Sequence, residues 1–207
     1  MKKLALTDFA KYRYPSALEL SPDGRYLTFA LKEVDREGDG YRWNLWLYDL
    51  ESRESRQITR GDDQRQAVWE DNTHILYKTT ELDEAMRARG FEEEWTVYHR
   101  LNVCTGEERE AFRLPMSVSG LWKMDEGRYV FTGETHLDRP NLLELTGEAL
   151  EKELVRRQQT KGYKVLTELP LCENGVGMFN KTRITLFLYL EATGEYRRIT
   201  PEDYDVN

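Results

Sequence analysis

Residues 17–30, Ala17-Leu18-Glu19-Leu20-Ser21-Pro22-Asp23-Gly24-Arg25-Tyr26-Leu27-Thr28-Phe29-Ala30, carry the reading that decides the fold. Pro22 stands where a turn wants φ preset, and Gly24 accepts the positive φ that a tight reversal needs. The alternating residues on either side suit a hairpin with one buried face. Outward from this hairpin, residues 33–42 read as a charged connection rich in Gly and Asp. A third strand is expected over Trp43–Leu50 and a fourth over Arg56–Thr59.

The same parts return twice. A second copy starts at Ala67-Val68-Trp69, turns at Glu70-Asp71-Asn72-Thr73 and continues as His74–Lys78. Its third strand is Trp95–Val103, closed by Thr105-Gly106-Glu107. A third copy starts at Gly120–Met124, turns at Asp125-Glu126-Gly127-Arg128 and continues as Tyr129–Thr132. Its later strands arrive after an insertion, at Thr185–Leu190 and Tyr196–Thr200. The turn aspartate moves from Asp23 to Asp71 to Asp125, steps of roughly 48 and 54 residues, near the ~40–50 of propeller repeats. One copy could be mimicked by unrelated hairpins, but three copies with the same order of parts point to blades of four strands.

The expected fold is mainly β: an incomplete β-propeller of about three four-stranded antiparallel blades, forming one domain over residues 1–207. Blade one covers about 15–60, blade two about 64–113 and blade three about 117–200. The insertion in blade three spans about 135–184. Within it, residues 146–161 read as a surface helix, with Leu150 and Leu154 four apart among Glu, Lys and Arg. Residues 168–177 are rich in turn formers and read as loop.

Composition narrows the function classes. Five Trp, twelve Tyr and seven Phe are more aromatics than a disordered chain carries. A net charge of −8 argues against nucleic acid as a partner. Arg156-Arg157 and Arg197-Arg198 sit beside Glu151, Glu153, Glu195 and Glu202, and read as solvated charge on a helix and a strand end. After Met1-Lys2-Lys3-Leu4-Ala5-Leu6, the polar residues Thr7, Asp8, Lys11 and Arg13 interrupt any signal-peptide core. No stretch approaches the ~20 apolar residues of a membrane span. Cys104 and Cys172 read as reduced structural thiols, and the cytoplasm is the default location.

Three stretches carry a resemblance: LTDFAKYRYPSALELSPDGRYLTFAL (residues 6–31), NLWLYDLESRESRQIT (44–59) and TELPLCENGVGMFNKTRITLFLYLEATGEYRRIT (167–200). Together they resemble the propeller of prolyl oligopeptidase and acylaminoacyl peptidase relatives, a family of serine hydrolases. The SPDGR turn also occurs in TolB-type propellers. The resemblance implies an N-terminal propeller of seven or eight blades followed by an α/β-hydrolase domain, with peptides or small acyl substrates bound between them. The sequence departs from that plan by lacking most of the propeller and the whole hydrolase domain.

The chemistry of that family is not expected in this chain. A hydrolase nucleophile sits on a G-x-S-x-G elbow, and none of Ser16, Ser21, Ser52, Ser55, Ser117 and Ser119 has glycines at both offsets. His74 and His99 fall in strands and His136 opens the insertion, each without an indicated nucleophile. There is no metal-ligand or cofactor spacing, so no catalytic, metal or cofactor residue is assigned. Asn174-Gly175-Val176-Gly177 lacks the Lys-Ser/Thr ending of a phosphate loop.

Glu92-Glu93-Glu94 is one exception to this plainness. Aminopeptidase-like members of the family hold a substrate's free amine on propeller glutamates, and paired carboxylates can do so by charge-assisted hydrogen bonds. Clustered acids on a solvated loop or helix end are the commoner arrangement. Two functions remain open: the non-catalytic propeller part of a peptidase-type serine hydrolase, gating and selecting peptides, or a self-standing TolB-like module for protein–protein interaction. Expected partners are a C-terminal α/β-hydrolase domain or other copies meeting bare blade faces, with no nucleic acid and no membrane.

Overall fold

The structure is a computed structural model that describes residues 5–35, 37–38, 40–162, 171–173, 177–179, 181–201 and 204–206. The chain divides into two compact units, Met1–Thr79 with Val97–Arg113, and Thr80–Thr96 with Leu114–Asn207.

The first unit opens with the sheet of strands β1 (Tyr14–Leu20), β2 (Tyr26–Asp35), β3 (Gly40–Asp49) and β4 (Glu54–Gln57), hydrogen-bonded in that order. The Ser21–Arg25 turn is built by its side chains. The Ser21 hydroxyl donates to Asp23 Oδ1 at 2.6 Å and accepts from the Tyr26 amide at 2.9 Å, while the Arg25 amide donates to Asp23 Oδ1 at 3.1 Å. Gly24 sits at φ 72°, which only glycine adopts without cost. Where a charged connection was expected over 33–42, β2 and β3 stay paired down to Asp35 opposite Gly40. Cross-strand aromatic and cation–π contacts carry the hairpin outward: Lys32 Nζ lies 3.8 Å from the Tyr41 ring centroid and 5.2 Å from that of Trp43.

A second sheet follows with β5 (Ala67–Trp69), β6 (His74–Leu82), β7 (Glu94–Asn102) and β8 (Glu108–Leu114), again paired in sequence order. Asp71 repeats the device of Asp23, accepting from the amides of Thr73 at 2.7 Å and His74 at 2.8 Å. Ala30, Leu45 and Leu47 from the first sheet and Ala67, Trp69, Ile75, Tyr77 and Leu101 from the second share one buried core with Val103. Each such side chain contributes about 1.5–3 kcal/mol for Leu- or Ile-sized groups. Trp69 Nε1 also donates to the Glu19 carbonyl at 3.1 Å. Sheets that cover each other's apolar faces in sequence order are the stacking rule of propeller blades.

In the second unit, the short helix α1 (Glu84–Ala88) is capped by Asp83, whose carboxylate accepts from the Met86 amide at 2.9 Å. The third sheet contains β9 (Val118–Asp125) and β10 (Arg128–His136); then come helix α2 (Gly147–Thr160) and a hairpin of β11 (Leu171–Glu173) and β12 (Gly177–Phe179). The sheet is completed by β13 (Thr182–Leu190) and β14 (Glu195–Arg198), in the order β14-β13-β10-β9. It therefore has the same up-and-down order as the other two once the insertion is removed. The paired strands run further than the sequence pattern suggested, with Thr135 opposite Arg183 and His136 opposite Thr182. His136 thus ends a strand and does not open the insertion. Segments 171–173 and 177–179 pair as strands where loop was expected. Residues 163–170 and 174–176 lie outside the described residues.

Phe131 and Phe187 stack across β10 and β13 with centroids 5.0 Å apart, and both are buried. Helix α2 forms where its leucine spacing placed it. Leu154 packs with Met86 and Leu142, with Leu150 and Phe91 alongside.

Candidate functional site

The second unit holds a cavity of about 810 Å³, within the size range of small-molecule and peptide sites. Its wall is built by the end of β10, the insertion, the segments before β7 and β9, and β13–β14. Phe187, Met116 and Tyr196 supply apolar surface; Glu92, Glu93, Glu94, Glu134, Glu144, His136, Arg139, Arg157 and Arg198 supply charge or polarity.

Arg157 is the structural cation of this wall. Its guanidinium donates to Glu93 Oε1 at 2.8 Å, to Glu153 Oε1 at 2.9 Å and to the Pro140 carbonyl at 2.5 Å. Its side chain is 12% exposed. The expectation of solvated charge therefore fails for Arg157, although the neighbouring Arg156, also paired with Glu153, is 48% exposed. Hydrogen bonds from Arg156, against the opposing effect of burial, and then from Arg157 hold the Glu153 carboxyl below its ordinary range.

His136 Nε2 lies 2.8 Å from Arg139 Nη2 and 3.6 Å from Glu134 Oε1, and its Nδ1 lies 3.3 Å from Thr182 Oγ1. Burial, then the positive charge of Arg139 and of Arg157, push its pKa down to about 4, with Asp138 acting the other way. The ring is neutral at pH 7 and accepts from the guanidinium. Tyr196 donates its hydroxyl to Glu144, and burial followed by that contact raises its pKa well above the usual phenol value.

Arg198 is arranged differently. Its Nη2 donates to Thr185 Oγ1 at 2.7 Å and to Thr135 Oγ1 at 3.1 Å. Its Nε is buried with no acceptor. Among the described residues no carboxylate pairs with it. This corrects the reading of Arg197-Arg198 as a solvated strand end. Arg197 is exposed, whereas Arg198 points to the same side as Tyr196, two residues back, and lines the cavity. Strand alternation was the signal that could have separated the two.

Glu92, Glu93 and Glu94, weighed as amine ligands against the commoner solvated loop, all line the cavity. Glu93 is taken up by Arg157, which leaves exposed Glu92 and Glu94 as the available acids. The other singled-out residues are spread elsewhere. Ser119 Oγ lies 2.8 Å from Thr132 Oγ1, His99 Nε2 lies 2.9 Å from Thr79 Oγ1, and His74 Nδ1 lies 2.9 Å from Asp71. Cys104 is exposed and free, and the side chain of Cys172 lies outside the described residues. Among the described residues no cluster of His, Cys, Asp or Glu could hold a metal ion, and no helix is long and apolar enough to cross a membrane.

With the geometry in place, comparison with solved structures decides the architecture. The chain superposes on Pyrococcus horikoshii acylaminoacyl peptidase with a TM-score of 0.62 at 12% identity, covering 92% of this chain and 26% of that one. The match falls in the propeller region of that enzyme. The fold is that of a β-propeller.

A related structure, acylaminoacyl peptidase in complex with Z-Gly-Gly-Phe-chloromethyl ketone, gives a TM-score of 0.60 at 11% identity over 93% of this chain and 26% of that one. The AtxE2 isopeptidase is similar at a TM-score of 0.52 and 15% identity, over 89% of this chain and 28% of its own. This chain thus spans about a quarter of the length of these peptidase structures, and its described residues form three four-stranded sheets where closed propellers carry four to eight blades. No family model matches the sequence. No curated protein matches it either.

Proposed function

We propose that this chain is the non-catalytic propeller portion of a serine peptidase of the prolyl-oligopeptidase and acylaminoacyl-peptidase type, working in the cytoplasm. In that role it gates and selects peptides for an α/β-hydrolase domain that carries out the chemistry. The superposition of 92% of the chain on an acylaminoacyl peptidase supports this reading, together with the sequence resemblance over residues 6–31, 44–59 and 167–200. Fold similarity alone sets a prior for function, so the site has to supply the rest. The second unit's cavity supports the reading, since it offers apolar surface beside charge of both signs, which suits a peptide.

The partner is a hydrolase domain or further propeller sheets. Trp122 and Met124 on β9 are 52% and 59% exposed, and Leu18 and Leu20 on β1 are 59% and 57% exposed. These rows have the alternation of buried strands but no cover. A self-standing TolB-like module that binds a protein partner through the same rows is the second reading.

The DNA immediately downstream separates the two. A frame continuing through more four-stranded repeats to a G-x-S-x-G elbow is the expected result. A stop codon followed by unrelated sequence would favour the self-standing module.

A further inference from the structure

We infer that the Arg198 end of the cavity is a carboxylate site, which takes the C-terminal carboxylate of a short peptide. The inference deepens the peptide-selecting reading above and rests on it for the class of ligand.

The argument starts from charge. A guanidinium removed from water is costly unless an anion or several hydrogen bonds compensate it. Arg157, in the same unit, is compensated by two carboxylates and a carbonyl. Arg198 has two threonine hydroxyls on a single nitrogen, and those hydroxyls also bond each other, with Thr135 Oγ1 lying 2.8 Å from Thr185 Oγ1. That arrangement orients the guanidinium plane without neutralising it. Nε lacks an acceptor, and among the described residues the guanidinium's hydrogen bonds all run from Nη2. A guanidinium oriented by neutral hydroxyls and bordering a cavity can turn its planar fork to a carboxylate, the anion that fork recognises.

The surroundings select among anions. Arg139 also borders the cavity and meets neutral His136, with no carboxylate paired to it among the described residues. Burial first, and then the positive charge of Arg139 and Arg157, lowers the pKa of His136 beside it. Glu92, Glu94 and Glu134 line the cavity as well. They oppose a dianion such as phosphate and favour a ligand with one negative and one positive end. A short peptide with both termini free has that character, and Phe187 and Met116 give its side chains an apolar floor. Seating the carboxylate requires a small rotation of the Arg198 side chain, because Nε itself is covered.

The test is titration of the full chain with a tripeptide bearing a free C-terminus and with the same tripeptide as its C-terminal amide. The free acid is expected to bind about tenfold or more tightly, the range of a charge-assisted hydrogen bond. Arg198→Met should abolish that discrimination and Arg198→Lys should keep part of it. The conservative variant retains the charge without the fork, so it keeps the test valid if Arg198→Met fails to fold by circular dichroism. Equal binding of acid and amide, no binding of the free acid, or displacement of the peptide by equimolar inorganic phosphate would each overturn the inference. If the acid is preferred but no hydrolase follows in the gene, only the peptidase reading falls. If a hydrolase follows but acid and amide bind alike, only the carboxylate site falls.

Discussion

Arg100 in the second sheet and Arg198 in the third are both cations on strands, both largely shielded from water, and they have opposite partners. Arg100 is clamped by both oxygens of Glu70, with side chains 17% and 9% exposed. Arg198 meets two hydroxyls and has a buried Nε with no acceptor. The first arrangement is compensated within the protein. The second is incomplete, and a propeller that has compensated one arginine fully has no structural reason to leave another without an anion. The difference is the observation behind the carboxylate site proposed in the second unit.

The largest expected effect comes from spoiling the complete pair. Glu70→Gln removes the carboxylate clamp on Arg100 and should cost about 3–5 kcal/mol in urea unfolding, whereas the double change Glu70→Leu with Arg100→Met should recover most of it. A loss below about 1 kcal/mol for Glu70→Gln would show that the pair is effectively solvated. Arg198→Met is expected to change stability by no more than about 1 kcal/mol in either direction, because the two hydroxyls left behind still bond each other. A loss as large as that of Glu70→Gln would mean that Arg198 is structural too.

A smaller effect concerns His136, which faces Arg139, Arg157, Glu134, Asp138 and Thr182. Its pKa is about 4 in the folded protein, from an ordinary 6.5. Between those values the unfolded chain holds a proton that the folded chain does not. Its contribution to stability is therefore present above pH 6.5 and is lost as pH falls toward 4. His136→Gln should flatten the fall in urea midpoint across that window while changing little at pH 7.5. An unchanged slope would show that the ring is solvated and unshifted.

The fold was legible because its punctuation is local. Pro22, Asp23 and Gly24 make a turn from their own side chains and φ preferences, and Asp71 repeats the device. Strand ends were less legible, since pairing between β2 and β3 through Asp35 and Gly40 depends on cross-strand contacts such as Lys32 over Tyr41, which no local preference encodes. In the site, Glu92–Glu94 stood out as a run and were found on the cavity wall. Arg157 and Arg198 did not stand out, because adjacent arginines beside glutamates look alike until a helix or strand turns one inward. That inward turn is set by which partner lies across space, Glu93 for Arg157 and the pair of threonines for Arg198. It is a tertiary fact that periodicity only half reveals.

The most direct test is a one-dimensional NMR spectrum of a free-acid tripeptide followed over days with the purified chain. Shifted or broadened peptide signals with no new fragment signals are expected, since the proposed role is to select peptides and leave cleavage to another domain. Accumulating cleavage products, or a peptide spectrum untouched by millimolar protein, would contradict the account.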